Sequence, residues 1–262
     1  MGIKVDIANV SKSYGDEDEN NFVRALDDVS IQLQDGEFVS FLGPSGCGKS
    51  TLLHIIGGFE RATRGEVRVN GTAIAGPGAD RGVVFQDYAL FPWLTVMENV
   101  TFGLKLKELP QRECREIARE FIALVGLAGF ENSFPHQLSG GMRQRCALAR
   151  SVANDPEVLL MDEPLAAIDA LTRNSLQEEI LKVCDARDGR TRKSVIYVTH
   201  SIEEAVFLSD RIVVMTPRPG RILEVIAVPF DRPRNDDTRL APTFQLLAGE
   251  IWGILKSYVQ PH

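Results

Sequence analysis

Several large protein classes are excluded by what the sequence lacks. Its 262 residues hold four cysteines, Cys47, Cys114, Cys146 and Cys184. They are scattered singly, with no CxxC pair and no histidine cluster beside them. A disulfide framework or a cysteine-based zinc site is therefore not expected, and a reducing compartment is. No apolar run approaches the length needed to cross a bilayer. Met1 to Val10 alternates polar and apolar residues and lacks the charged-then-apolar layout of a secretory leader. Internal repeats are absent. Basic charge is not in excess: 29 Lys and Arg face 36 Asp and Glu, for a net charge of −7. That balance argues against nucleic acid as a main partner. With 44% hydrophobic and 25% charged residues, the chain reads as a soluble, cytosolic, globular protein rather than a disordered or fibrous one.

What is present is a set of short apolar runs that each end in polar or glycine-rich residues. Phe38–Leu42 leads into Gly43–Ser50, Val83–Phe85 ends at Gln86, Val158–Met161 at Asp162-Glu163, and Ser194–Thr199 at His200. Unbroken apolar runs of this length suit parallel strands covered on both faces by helices. In such sheets ligands gather beyond the carboxyl ends of the strands. Helical patterns fill the gaps: Ser50–Gly57, Gln111–Val125, Ser139–Asn154, Leu171–Cys184 and Ser201–Leu208. Ile3–Val10, Val29–Leu33 and Glu66–Val69, with turns between them, predict a small antiparallel sheet beside the parallel core. A helix-rich stretch from about residue 87 to 154 interrupts the strand–helix alternation as an inserted lobe. Asp231–Asp237 is a charged, proline-bearing break. After it Phe244, Leu247, Ile251, Trp252 and Leu255 predict a terminal amphipathic packing helix.

Gly43-Pro44-Ser45-Gly46-Cys47-Gly48-Lys49-Ser50 matches G-x-x-x-x-G-K-[ST], between a predicted strand and a predicted helix. Glycines let backbone N–H groups turn inward onto phosphate oxygens, and the helix adds its positive end. Lys49 supplies a cation for the β- and γ-phosphates, and the Ser50 hydroxyl is a magnesium ligand. Asp162, ending an apolar strand, is the second expected magnesium ligand, and Glu163 beside it is placed to take a proton from an attacking water. Leu138-Ser139-Gly140-Gly141-Met142 precedes another helix. Ser139 alone reads as an N-cap, but a cap does not require two glycines. A second anion-receiving helix start has no use on the same nucleotide within one subunit; it has one if two subunits meet head to tail.

In this order the motifs resemble the nucleotide-binding subunits of ABC transporters, over nearly the whole chain. The resemblance implies an α/β fold: a P-loop NTPase (RecA-like) core with a small antiparallel β subdomain and an inserted helical subdomain. It implies an ATPase domain over residues 1–230 and a short C-terminal extension over 231–262. By the same resemblance Tyr14 stacks on adenine, Gly43–Thr51 is the phosphate loop, Gln86 the Q-loop glutamine, Leu138–Met142 the signature, Ala166–Asp169 the D-loop and His200 the switch histidine. Read singly, Tyr14 could be a plain surface aromatic, His200 a strand-end residue before a helix cap, and Gln86 a loop amide. Met142 stands where the family usually has glutamine and Ile168 where it has leucine; neither change puts hydrolysis of ATP with Mg2+ in doubt.

The implied partners are a second copy of the chain in an ATP sandwich, integral membrane permease subunits and, indirectly, a substrate-binding protein. The implied location is peripheral, on the cytoplasmic face of the plasma membrane. Asp87–Leu104 carries Phe91, Trp93, Leu94 and Phe102. Part of it is expected to form a groove for a short helix of the permease, while most of its aromatics are expected in the core of the inserted lobe. The runs Gly78–Gln86, Leu90–Trp93, Ser139–Arg145 and Pro217–Ile222 resemble the nitrate/sulfonate/taurine branch of importers. Thiamine-precursor uptake uses similar ATPases. A soluble, non-transport ABC ATPase and a small-molecule kinase are alternatives, the latter leaving Leu138–Met142, Gln86 and His200 without a task.

Overall fold

The structure, a computed structural model, describes residues 2–15, 22–185 and 191–259. It divides into two compact units, Met1–Gly78 with Arg192–His262, and Ala79–Thr191. In chain order the first unit contributes β1 (Ile3–Tyr14), β2 (Val23–Gln34), β3 (Phe38–Leu42), α1 (Lys49–Gly57), β4 (Arg64–Val69) and β5 (Thr72–Ala73). The second unit follows with β6 (Arg81–Val84), α2 (Val96–Leu106), α3 (Gln111–Leu124), α4 (Gly140–Ala153), β7 (Val158–Asp162) and α5 (Ala170–Cys184). The chain then completes the first unit with β8 (Ser194–Thr199), α6 (Ile202–Leu208), β9 (Arg211–Met215), β10 (Ile222–Ala227), α7 (Asp236–Leu240) and α8 (Pro242–Val259).

In the first unit β3 lies between β8 and β9, parallel to both, and β10 closes antiparallel on β9. Every residue of β3 and β8 is buried, as expected of strands covered on both faces. A separate antiparallel sheet has the order β2-β1-β4-β5. In β2 burial alternates from Val29 to Leu33, the mark of a sheet with one wet face. Its first two strands run further than hydrophobicity predicts, because Lys12 pairs with Leu26 and Tyr14 with Val23. Ser11, Lys12, Ser13 and Arg24 read as loop by polarity, yet backbone pairing holds them in the sheet. Asn9 and Asp28 take positive φ there, and the Asn9 amide donates to the Asp28 carboxylate at 2.9 Å.

The 231–237 break holds more than linker residues. Arg234 is buried and donates to the carbonyls of Phe207 at 2.9 Å and Ser209 at 2.7 Å, satisfying the carboxyl end of α6. In α8, Phe244 and Ile251 are buried as expected, but Trp252 is largely exposed, so the terminal helix packs along a narrower stripe than its sequence predicts.

In the second unit β6 and β7 pair in parallel, Arg81 with Val158 through Val84 with Met161. The core of its helices is aliphatic: Val96, Val100 and Leu104 of α2, Ala118 and Ile122 of α3, Ala147 and Leu148 of α4, joined by Phe121. The aromatics of 87–104 are not in it, which corrects the expectation that most of them fill the lobe. Trp93 is 70% exposed and Phe102 41%. The cause is local: buried Asn99 accepts from the Phe91 N–H at 2.9 Å and donates to the carbonyls of Leu94 and Thr95, both at 3.0 Å. That clasp pins the turn with Trp93 at its tip.

Candidate functional site

In the first unit the phosphate-loop sequence leaves β3 and turns directly into α1. Gly48 stands at the helix start with φ +103°, and no side chain caps the helix. A Cβ at Gly48 would lie 2.7 Å from the Ala25 carbonyl oxygen and from Leu26 Cδ2, so both conformation and space demand glycine. Lys49 is only 4% exposed. Its ammonium donates to the carbonyls of Gly43 at 2.8 Å and Pro44 at 3.0 Å, which holds the cation within the curve of the loop. Cys47 is buried beside it, and burial pushes its thiol pKa up while the neighbouring Lys49 opposes the shift. Ser50 and Thr51 occupy the first turn of α1 and are half-buried.

His200 follows β8 and is exposed. Leu42 pairs with Thr199, so the phosphate loop and His200 leave the same end of adjacent strands. A buried carboxylate organises this end, although its sequence pattern indicates no more than a helix start. Glu204 accepts from the hydroxyls of Thr199 at 2.8 Å and Tyr197 at 3.0 Å. Thr199 in turn accepts from the Ser201 N–H at 3.0 Å. The sequence signal was a serine cap with glutamate at its third helical position, a pattern that indicates a helix start without showing the buried contacts. Tyr14 ends β1 with its ring 41% exposed. The Lys12 ammonium sits 4.8 Å from the ring centroid and bonds Glu60 at 2.6 Å. That bond holds the Glu60 carboxyl below its ordinary range.

In the second unit Gln86 lies two residues past β6 and is exposed, whereas Asp162 is the last residue of β7 and buried. Because Val84 pairs with Met161, Gln86 and the Asp162-Glu163 pair leave the same end of adjacent strands. Glu163 is half-buried with φ +42°. A non-glycine residue there is strained, and such strain is found where a side chain must be aimed. Ser139 accepts from the Met142 N–H at 3.2 Å and caps α4. Asp169 accepts from the Thr172 N–H at 3.0 Å and caps α5. Both are exposed. The two helix starts are neighbours: a Cβ at Gly140 would lie 3.9 Å from Ile168 Cδ1, and one at Gly141 2.9 Å from Thr172 Cγ2.

Among the described residues no group of three His, Cys, Asp or Glu could hold a metal ion. Mg2+ takes one or two protein oxygens together with substrate phosphates rather than a closed protein cage. Ser50, in the first turn of α1 in the first unit, and Asp162, at the end of β7 in the second, are each an oxygen donor of that kind.

The second unit also bears a groove of about 470 Å³. Phe85, Phe91, Phe102 and Leu106 give it an apolar lining, and Arg81, Lys107 and Arg150 bring positive charge. Arg150 donates to the carbonyls of Ala89 at 2.6 Å and Tyr88 at 3.0 Å and lies 5.7 Å from the Phe91 centroid. Neither Arg150 nor Asn99 was singled out from sequence, since each reads as an ordinary polar residue in a helix.

Residues 26–166 match the family model described as ABC transporter. An uncharacterized ABC transporter ATP-binding protein of Methanocaldococcus jannaschii is 51% identical over 259 residues, covering 99% of this chain and 94% of its own. The taurine import ATP-binding protein TauB of Pelagibacter ubique is 52% identical over 208 residues, covering 79% of this chain and 77% of that protein. TauB of Rhizobium johnstonii is 45% identical over 262 residues, covering 97% of each. Among solved structures, the dimeric post-hydrolysis state of the ATP-binding cassette MJ0796 bound to ADP and Pi is similar with a TM-score of 0.74. It is 35% identical and spans 87% of this chain and all of that one.

Proposed function

The chain belongs to the ABC transporter family and is an ATPase, and from that premise we propose that two copies of it clasp ATP to power a membrane importer. The observation that carries the two-copy reading is Gly140. It lies in ordinary helical backbone, and a Cβ there would meet only ordinary contacts, the nearest at 3.6 Å. Among the described residues nothing demands glycine at that point, yet it stands beside exposed Ser139 at a helix start. An anionic group approaching from outside gains from that bare backbone. The dimeric cassette bound to ADP and Pi supports the same reading.

In this reading Tyr14 stacks on adenine, and Gly43–Thr51 wraps the phosphates with Lys49 against the β- and γ-groups. Ser50, Asp162 and Gln86 hold or sense Mg2+, which when bound neutralises charge on the phosphate oxygens. Glu163 takes the proton from a water whose oxygen bonds to the γ-phosphorus. The bond from that phosphorus to the bridging oxygen breaks, and the electron pair leaves with ADP. His200 contacts the γ-phosphate, while Ser139, Gly140, Gly141 and Asp169 close from the second copy. The catalysis is mainly positioning and charge neutralisation, and ATP acts by its differential affinity for the closed dimer.

The solute is taurine, another sulfonate, nitrate or a related small molecule, a reading supported by 45–52% identity to taurine import subunits. Among the described residues no helix is long and apolar enough to cross a membrane. The path is therefore assigned to separate permease subunits that receive solute from a binding protein, with this chain at the cytoplasmic face. The apolar, basic-rimmed groove with Trp93 beside it suits an amphipathic permease helix.

Replacing Glu163 by Gln tests the cycle. MgATP binding is expected to persist, turnover to fall about 10²–10⁴-fold, and an ATP-dependent dimer to accumulate in size-exclusion chromatography. Wild-type turnover in that variant refutes the role of Glu163. Docking is tested with a cysteine placed at Leu90 or Thr95, because the four native cysteines are all buried. Cross-linking to the permease is expected, and failure at both positions removes the docking assignment.

A further inference from the structure

The segment Pro217–Ile222, whose sequence resembles one branch of importers, has no task in the cycle above. In the structure it is an elbow between β9 and β10 set against the phosphate loop. Thr216 closes it, donating to the Pro219 carbonyl at 3.0 Å and accepting from the Arg221 N–H at 3.0 Å. Backbone bonds sew it to β2: the Gly220 N–H donates to the Ala25 carbonyl at 2.9 Å, and the Asp27 N–H donates to the Gly220 carbonyl at 3.0 Å. An Arg221–Asp27 ion pair adds a side-chain tie. The elbow then meets the loop itself. A Cβ at Gly220 would fall 2.0 Å from the Cys47 carbonyl oxygen, so the two backbones touch. Exposed Arg218 donates from Nε to the Gly46 carbonyl at 3.2 Å. β2 supports the loop as well, since Ala25 and Leu26 fill the space beside Gly48.

We infer that Arg218 is a positioning residue for nucleotide binding, acting through the Gly46–Cys47 peptide. A phosphate-wrapping loop turns its N–H groups toward the ligand, and the Arg218 guanidinium meets the opposite, carbonyl side of the peptide that joins Gly46 to Cys47. The Gly46 carbonyl and the Cys47 N–H belong to one peptide unit. A guanidinium on the oxygen polarises that unit and makes the N–H a stronger donor to phosphate. The Cys47 N–H makes a long 3.4 Å bond to the Pro44 carbonyl. The tied elbow keeps the guanidinium in place, so the loop is partly organised before ATP arrives and loses less on binding. Pro217 and Pro219 flank Arg218 and restrict the backbone that presents it.

The inference rests on the reading of Gly43–Ser50 as the phosphate loop, and the test separates the two. ATP hydrolysis by the full chain is measured as KM and kcat for the wild type, Arg218→Ala, Arg218→Lys and Lys49→Ala, with MgATP binding measured alongside. Arg218→Ala is expected to raise KM about three- to tenfold, the scale of one typical net hydrogen bond at an exposed position, with kcat within about twofold. Arg218→Lys, which keeps the charge and one donor, is expected to restore most of the KM. Lys49→Ala is expected to abolish binding. Intact binding in Lys49→Ala refutes the phosphate-loop reading and the brace with it. Lost binding in Lys49→Ala together with unchanged KM in Arg218→Ala refutes the brace alone. A fall in kcat at constant KM, or failure of Arg218→Lys to restore KM, overturns it as well.

Discussion

The two glycine-bearing helix starts differ in what requires their glycines. At α1 the chain itself makes the demand: Gly48 has φ +103°, and its surroundings leave no room for a Cβ. The helix there is uncapped, and its lysine is folded into the loop. At α4 a serine caps the helix in the ordinary way, and Gly140 has neither a positive φ nor a close neighbour. The first is a site formed within its own unit. At the second, a Cβ at Gly141 would press on Thr172 Cγ2 at 2.9 Å, whereas one at Gly140 would meet only ordinary contacts among the described residues. On the proposed two-copy reading that bare position serves the other copy. Similar sequences can thus owe their glycines to opposite causes, and space around the glycine tells them apart.

The comparison is open to attack at both ends. The largest effect is expected from Gly48→Ala, which adds a Cβ 2.7 Å from a backbone oxygen at a conformation L residues rarely adopt. It should abolish MgATP binding by titration and lower stability by about 1–3 kcal/mol in denaturant unfolding. Full binding and stability in that variant would remove the claim that the fold dictates this glycine. A smaller and more selective effect is expected from Gly140→Ala. Its stability should stay within about 1 kcal/mol of the wild type, since alanine favours helix, and MgATP binding by the single subunit should persist. Steady-state hydrolysis should fall about a hundredfold, because the added methyl keeps the phosphate off the N–H donors of the helix start, on the scale of one donor put out of reach of developing charge. Unimpaired hydrolysis would leave the second helix start as a cap and nothing more.

Much of the site was legible because its residues sit at the ends of buried strands, where hydrophobic runs stop abruptly. Gly43–Ser50 after Phe38–Leu42, Asp162-Glu163 after Val158–Met161 and His200 after Ser194–Thr199 all fall where the sequence pattern predicts. The extents of β1 and β2 were not legible. Ser11, Lys12, Ser13 and Arg24 are held in strands by pairing partners, and polarity carries no information about pairing. The aromatics of 87–104 misled for a related reason. Hydrophobicity predicts burial, but the Asn99 clasp fixes the turn with Trp93 outward, and a single asparagine has no periodicity to betray it. Glu204 and Arg234 were passed over as a helix-start residue and a linker charge, although both are buried and organise the ends of β8 and α6.

The sequence by itself determined the chemistry on offer. Lys49, Ser50, Asp162, Glu163 and His200 are recognisable from residue type and spacing because local backbone geometry, a strand passing into a turn or helix, fixes what each can present. Tertiary structure decided which of these groups are held in place and by what. The Arg218 elbow behind the phosphate loop lies some 170 residues away in the chain (|i−j| = 172 for its bond to Gly46), and the spare room at Gly140 depends on neighbours from other segments. Contacts of that range arise from packing, in which partners are chosen by shape and register rather than by any pattern along the chain.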